Sequence, residues 1–469
     1  MNVFTLAAAA PLARSAPALT RTSITVRCFE SFEDAEFLRF EVDALNRASA
    51  HPDPFSTFAF FETYFRHDEL HPPGRASCLW FLTAFRGPQL IGYLALRQVT
   101  HKVLGLPVST VGLLVVHDTD RPHLVARREH QREVSEAFYA HLLGRKSEWS
   151  CLEFAQQDSR SPLFPPPATF AGEGYLVREW PSLENCTIPV SWPSLGEYFA
   201  ALPKKYRTNL GRQMRKLLDA GEVELLGSCD PATTPALFEL CLGLEAQSWK
   251  AQAQAGIGRH PERVAYFRAL LGADQPMRLS IQVLLIDGLP VAGIVCGAFD
   301  RSVYALHVVY DERWNALAPG SAMLLMGMRQ AIVGGSAFFN LMSGFGYYKA
   351  RWLAQATPTR VGQIYRAGSL LYWRRVFGDM KRRWWPRGGT GEAQGFNPAR
   401  REVETGESGP RDRPPVTPAA QARVAALIAQ TRAGPGEFLS GDELAAVMPI
   451  DMRRTAGVKR PHGPQGEVA

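Results

Sequence analysis

The sequence predicts an α/β (α+β) protein of two tandem halves, each a mixed, mostly antiparallel sheet flanked by helices, followed by a largely disordered C-terminal tail. Three observations carry this prediction. Strand-like pairs joined by tight turns occur twice: LWFLTAF (79–85) with LIGYLALRQV (90–99), and LSIQVLLI (279–286) with PVAGIVCGAF (290–299). Each half opens with helical patterning and closes with a helix and a short apolar strand, CLEF (151–154) in the first and FFNL (338–341) in the second. The content of 46% apolar and 21% charged residues is that of a globular chain, but patterning fades after about Trp385.

Residues 1–23 read as a disordered leader, because no basic stretch precedes the Ala-rich patch and Pro11 and Arg14 break it. The first half then runs over 24–185, with Arg86–Gln89 as its hairpin turn. Two prolines without helical period place a boundary between Pro181 and Pro193, and the second half covers 186–385. There Ser194 and Glu197 stand at capping-box distance. Tyr206, Leu210, Met214 and Leu218 recur at four-residue spacing up to a stop at Gly221. A second helix starts at Pro235, buries Leu237, Leu240, Cys241 and Leu244, and runs to Trp249-Lys250. Asp287-Gly288 supplies the positive φ angles of a hairpin. The strand VYALHVVY (303–310) follows, then DERWNALAPG, and SAMLLMGMRQAIV (321–333) forms a helix. Residues 386–418 are rich in Gly, Pro, Arg and Glu and cannot offset their ordering entropy. The tail 386–469 holds two short helical stretches, 419–431 and 440–447, the latter capped by Ser440 and Glu443.

Several function classes fall away. Basic residues exceed acidic ones by 52 − 45 = 7, too dilute an excess for a nucleic-acid partner. No apolar run is long enough to span a bilayer. The seven cysteines are scattered without a CxxC pair, which fits reduced thiols in a cytoplasmic protein and no structural metal. P-loop, Rossmann, GxSxG and HExxH signatures are absent.

One feature favours an anionic ligand. Pro319-Gly320 ends a loop, and the amides of Ser321, Ala322 and Met323 are expected to open the following helix unpartnered, as a seat for a phosphate. The strands on either side of that helix would run parallel, as in a crossover unit.

With these motifs in order, the sequence resembles the CelD-like branch of the GNAT acetyltransferases, whose two halves sit side by side as in FemAB-type transferases. The residues that carry the resemblance are LGEYFAALPKKYRTNLGRQMRKLLDAGEVELL (195–226), SWK (248–250), LLIDGLPVAGIVCG (284–297), YDERWNALAPGSAMLL (310–325) and FFNLMSGFGYYKARW (338–352), with the opening segment 24–65. The resemblance implies a cytoplasmic, acyl-CoA-dependent N-acyltransferase with a degenerate first half. Gly320, Ser321, Ala322 and Met323 would then receive the pyrophosphate of acetyl-CoA or a longer acyl-CoA. Parted strands at Val308, Val309 and Tyr310 and around Asn340 would admit its pantetheine arm, and Arg313 would add charge. The family commonly carries an acidic residue where this chain has Asn340.

Acyl transfer to an amine needs a deprotonated nucleophile, a polarised carbonyl and a proton for the leaving thiolate. A main-chain amide at a bulge in 303–310 is placed to polarise the carbonyl. Tyr348, with Tyr347 as alternative, is the proton donor; Lys349 binds an anionic substrate or the oxyanion; His307 or Glu245 is the base. Lys204, Lys205, Arg207 and Arg212 form a cationic helix face for an anionic small-molecule or saccharide amine acceptor, such as a cell-envelope or exopolysaccharide precursor. Trp249 and Lys250 of the SWK motif join that acceptor site. The basic-aromatic segment 370–385 suits either packing on the domain or peripheral contact with an anionic membrane. A FemAB-like aminoacyl transferase and a non-catalytic scaffold are the competing readings.

Overall fold

The computed structural model describes residues 23–67, 76–114, 119–171, 174–248, 250, 256–272, 274–344, 347–384 and 418–448. The first half supplies β1 (Ile24–Phe29), β2 (Ala76–Arg86), β3 (Gln89–Val103), β4 (Leu106–Leu113), β5 (Val125–Ala126), β6 (Cys151–Asp158) and β7 (Tyr175–Pro181). The second brings β8 (Asn185–Pro189), β9 (Val223–Ser228), β10 (Arg278–Ile286), β11 (Leu289–Phe299), β12 (Ser302–Tyr310), β13 (Phe338–Ser343), β14 (Gln355–Thr357) and β15 (Thr359–Arg366). Last comes β16 (Glu437–Ser440).

Two mixed sheets result. One has the order β1-β2-β3-β4-β6-β15-β7, with β5 against β3; the other is β14-β8-β13-β12-β11-β10-β9-β16. The order repeats. β4 and β6 pair in parallel from Thr110/Cys151 to Gly112/Glu153 and then part, while β12 and β13 do so from Ser302/Phe338 to Tyr304/Asn340. In each half a helix makes the crossover, Gln131–Gly144 in the first and Pro319–Val333 in the second.

Along the chain the sheets change over between β7, which ends at Pro181, and β8, which begins at Asn185. β8 lies between β13 and β14 in the second sheet, whereas β15 crosses back and is inserted between β6 and β7 of the first. β15 covers the ladder edge that β6 would otherwise expose, as β8 does for β13. Residues 359–366 therefore belong to the first sheet, and the helix Leu370–Trp384 packs there too, through the Arg178–Asp379 pair. Aromatic packing also joins the halves: the rings of Phe55 and Tyr304 lie 5.4 Å apart, edge to face.

The tail expectation is corrected over 418–448. The two helices exist, as Pro418–Ala433 and Gly441–Val447, and Ser440 and Glu443 form the expected capping box. They are docked, however: β16 pairs with the edge strand β9, and Leu444 is fully buried in the second core. That core also holds the crossover helix. Its Gly327 lets β13 approach closely, since a side chain there would meet the Phe339 ring at 2.9 Å.

Candidate active site

β12 and β13 part beyond Tyr304 and Asn340, and a cleft of about 640 Å³ opens at that point. β12 is bulged there. Val295 faces His307 and Cys296 faces Ala305, which leaves Leu306 as the extra residue and turns local main chain out of the ladder. The bulge expected in 303–310 is thus present. Among the predicted residues, Val308, Tyr310, Gly320, Ser321, Lys250 and Lys349 all line the cleft. Val309, Ala322 and Met323 do not: their side chains are buried in the apolar cores.

The helix head differs from expectation. Ala318 takes a left-handed conformation (φ 51°, ψ 49°), and the helix begins at Pro319, two residues early. The N–H groups of Ser321 and Ala322 both donate to the Ala318 carbonyl, at 2.9 and 3.3 Å. They are not free. Gly320 N–H is the first-turn amide left without an acceptor among the described residues. Gly320 is also demanded by packing, because a Cβ there would come within 3.0 Å of the Tyr310 ring. Arg313 is likewise committed. Its Nε donates to Asp311 Oδ2 at 2.7 Å and its Nη2 to Gln247 at 3.0 Å. Asp311 is buried, so the Arg313 charge is matched locally instead of facing the cleft.

Glu245 and His307, proposed as separate bases, form one unit. Glu245 ends the helix Thr234–Glu245, and its Oε1 lies 3.0 Å from His307 Nε2, with both side chains buried. Oε2 accepts the Gly258 N–H at 2.7 Å. Burial opposes charge on Glu245, but His307 and the amides of Gly258 and Ile257 outweigh it and hold the carboxyl at about 2. On the other side of the imidazole, Nδ1 lies 3.2 Å from Lys250 Nζ, which also donates to the Val308 carbonyl at 2.9 Å. In the first half, Asn46 near the end of the helix Arg39–Arg47 clasps the main chain of Asp53 in a similar way. That clasp has an amide where the second half has a carboxylate.

Lys349 has a different role from the one expected. Its Nζ donates to the carbonyls of Leu341, Met342 and Ser343 at 2.8, 3.3 and 2.9 Å, and burial lowers its pKa. It braces the irregular end of β13, where Met342 has φ 61°, and three acceptors already hold the ammonium. The side chains of Tyr347 and Tyr348, and all of Trp249, lie outside the described residues.

Asn340 is buried and donates to Asp120 Oδ2 at 2.9 Å, while its Oδ1 accepts the Met342 N–H at 2.7 Å. Asp120, also buried, comes from the first half and accepts from Asn185 at 2.5 Å and Ser343 at 3.4 Å. A carboxylate therefore stands beside Asn340, from a residue that local sequence reasoning had no means of pairing with it. Tyr206 was also missed, read only as an apolar helix position. Its ring lies 4.8 Å under the Arg351 guanidinium, its hydroxyl bonds Ser321, and burial pushes that hydroxyl up to about 12. Lys204, Lys205 and Arg212 line an adjoining opening that shares Tyr206 and Arg351 with the cleft. Arg207 turns away, bonded to the Ala200 carbonyl.

Residues 204–350 match the family described as an acetyltransferase (GNAT) domain. The matched stretch lies within the second half. The match takes in the helix head, the bulged strand and the Glu245–His307–Lys250 chain, but not Asp120. A conserved protein of unknown function from Bacteroides thetaiotaomicron is 12% identical, with 73% of this chain and 100% of that one covered and a TM-score of 0.46. A tandem GNAT protein from the clavulanic acid biosynthesis pathway is 15% identical, covering 74% and 99%, with a TM-score of 0.42. FemX is 12% identical, covering 72% and 98%, with a TM-score of 0.39. No curated protein matches the chain.

Proposed function

We propose that this protein is an acyl-CoA-dependent N-acyltransferase that works in the cleft between β12 and β13, moving an acetyl or longer acyl group to an amine. The observation that supports the reading most is the buried Glu245–His307–Lys250 chain, which ends in the same cleft as the head of the GNAT-domain helix. The Gly320 amide, the Ser321 hydroxyl and Arg351 are the groups suited to the pyrophosphate of the donor.

The ionised Glu245 keeps the imidazole proton on Nε2 and leaves Nδ1 as the acceptor. An acceptor amine takes over the contact that Lys250 makes with Nδ1, and His307 removes its proton as the nitrogen attacks the thioester carbonyl. Main-chain N–H groups at the β12 bulge stabilise the oxyanion in place of Lys349. Tyr348 is assigned the proton for the leaving thiolate, from the short helix Tyr347–Ala350 at the cleft's end.

The acceptor we propose is an anionic amine, such as a saccharide of a cell-envelope precursor, drawn in by Lys204, Lys205 and Arg212. Thiol release from acetyl-CoA over a panel of neutral and phosphorylated amino sugars tests this. Charge reversal at Lys204 and Arg212 should raise the acceptor KM roughly tenfold and leave acetyl-CoA affinity unchanged. Weakened acetyl-CoA binding with an unchanged acceptor KM would instead assign these cations to the donor.

A further inference from the structure

The helix Leu370–Trp384 is docked by its polar side. Asp379 accepts from Arg178 of β7 at 3.0 Å and lies 3.6 Å from Arg375, whose guanidinium sits over the Trp180 ring of the same strand. Facing away are Trp373, Phe377 and Met380, which are 48%, 60% and 48% exposed. Their spacing of four and three residues makes one stripe, and the Trp373 and Phe377 rings stack on each other at 5.9 Å. A surface helix that serves only to close a domain turns its apolar stripe inward. This one is inverted.

The composition of the segment that carries the stripe indicates what covers it. Arg374 is exposed next to Trp373, and the chain continues Lys381-Arg382-Arg383-Trp384-Trp385. Over 370–385 there are five basic residues to one acidic. Aromatic side chains flanked by cations are the composition of a helix lying in the headgroup layer of an anionic bilayer. Among the described residues no helix is long and apolar enough to cross a membrane, so contact through this helix would be peripheral. We propose that the Trp373–Phe377–Met380 face docks on an anionic phospholipid surface. The inference does not depend on the reading of the cleft.

The test is co-sedimentation of the full-length protein with vesicles of phosphatidylcholine, with and without phosphatidylglycerol. Binding is expected only with phosphatidylglycerol and should fall as salt is added. The double variant Trp373→Ser/Phe377→Ser should lose it, and Arg374→Glu should weaken it roughly tenfold. Melting curves check that both variants remain folded. Failure of the wild-type protein to sediment with phosphatidylglycerol vesicles, or equal sedimentation of the double variant, would overturn the proposal. So would a wild-type dimer in sedimentation equilibrium that the double variant dissolves, which would make the stripe an interface between copies of the chain.

Discussion

Replacing Glu245 by glutamine is expected to slow acyl transfer roughly 10²–10³-fold while leaving acetyl-CoA affinity unchanged. The glutamine keeps the volume and a carbonyl oxygen for the Gly258 amide. It removes the charge 3.0 Å from His307 Nε2, which in the proposed mechanism fixes the tautomer and stabilises the imidazolium formed when the amine loses its proton. Since the proposed function puts the acyl donor against the helix head and Arg351, its binding should not sense this change. Thiol release measures the first quantity and calorimetry with acetyl-CoA the second. Equal turnover of variant and wild type would remove the dyad from the chemistry.

The same substitution carries a stability signature with a defined sign. The Glu245 carboxyl is held at about 2, below the ordinary carboxylate value of 4.5. Its contribution is therefore fully present above that ordinary value and is lost as pH falls towards 2. A shift of this size corresponds to something on the order of 3 kcal/mol. Urea unfolding should show a gap between wild type and Glu245→Gln near neutral pH that narrows as acid is added. A gap that widens in acid would reverse the assigned direction.

Asp120→Ala should destabilise the protein by about 3 kcal/mol, measured by urea unfolding. The side chain is 3% exposed and accepts from Asn185 on β8 and Asn340 on β13. Its removal leaves two buried amide groups without that acceptor. The loss should also reach the cleft, because Asn340 in turn holds the Met342 N–H and Ser343 forms part of the cleft wall. Turnover is expected to fall together with stability, whereas Asp120→Asn should retain more of both. An Asp120→Ala protein with wild-type unfolding would show that the two halves do not rely on this contact.

What the sequence made legible is what local patterning controls. The two hairpins, the crossover helix and the Ser440 cap each rest on turn chemistry or periodicity within a few residues, whereas the parting of the last strands comes only from the family resemblance. The return of β15 to the first sheet is set by edges that meet only in the folded chain, and no local pattern encodes it. The site was legible as residue types rather than as partners. Glu245 and His307 were both named, but their contact joins a helix end to a bulged strand. Lys349 and Arg313 read as available cations, yet each is held by groups a few residues away, in the β13 carbonyls and in Asp311. The helix start carries a usable local signal: proline is favoured at the first helical position, which puts the start at Pro319 and lets the Ala318 carbonyl satisfy the Ser321 and Ala322 amides.

The central claim is that an acyl-CoA is held at the head of the helix Pro319–Val333, within reach of Glu245 and His307. Calorimetry of acetyl-CoA against wild type and Gly320→Glu tests it most directly, with a melting curve to establish that the variant is folded. The account predicts saturable binding to the wild type and none to the variant, whose carboxylate stands where the diphosphate is placed. Equal affinity in the two folded proteins, or no binding to the wild type, would contradict it.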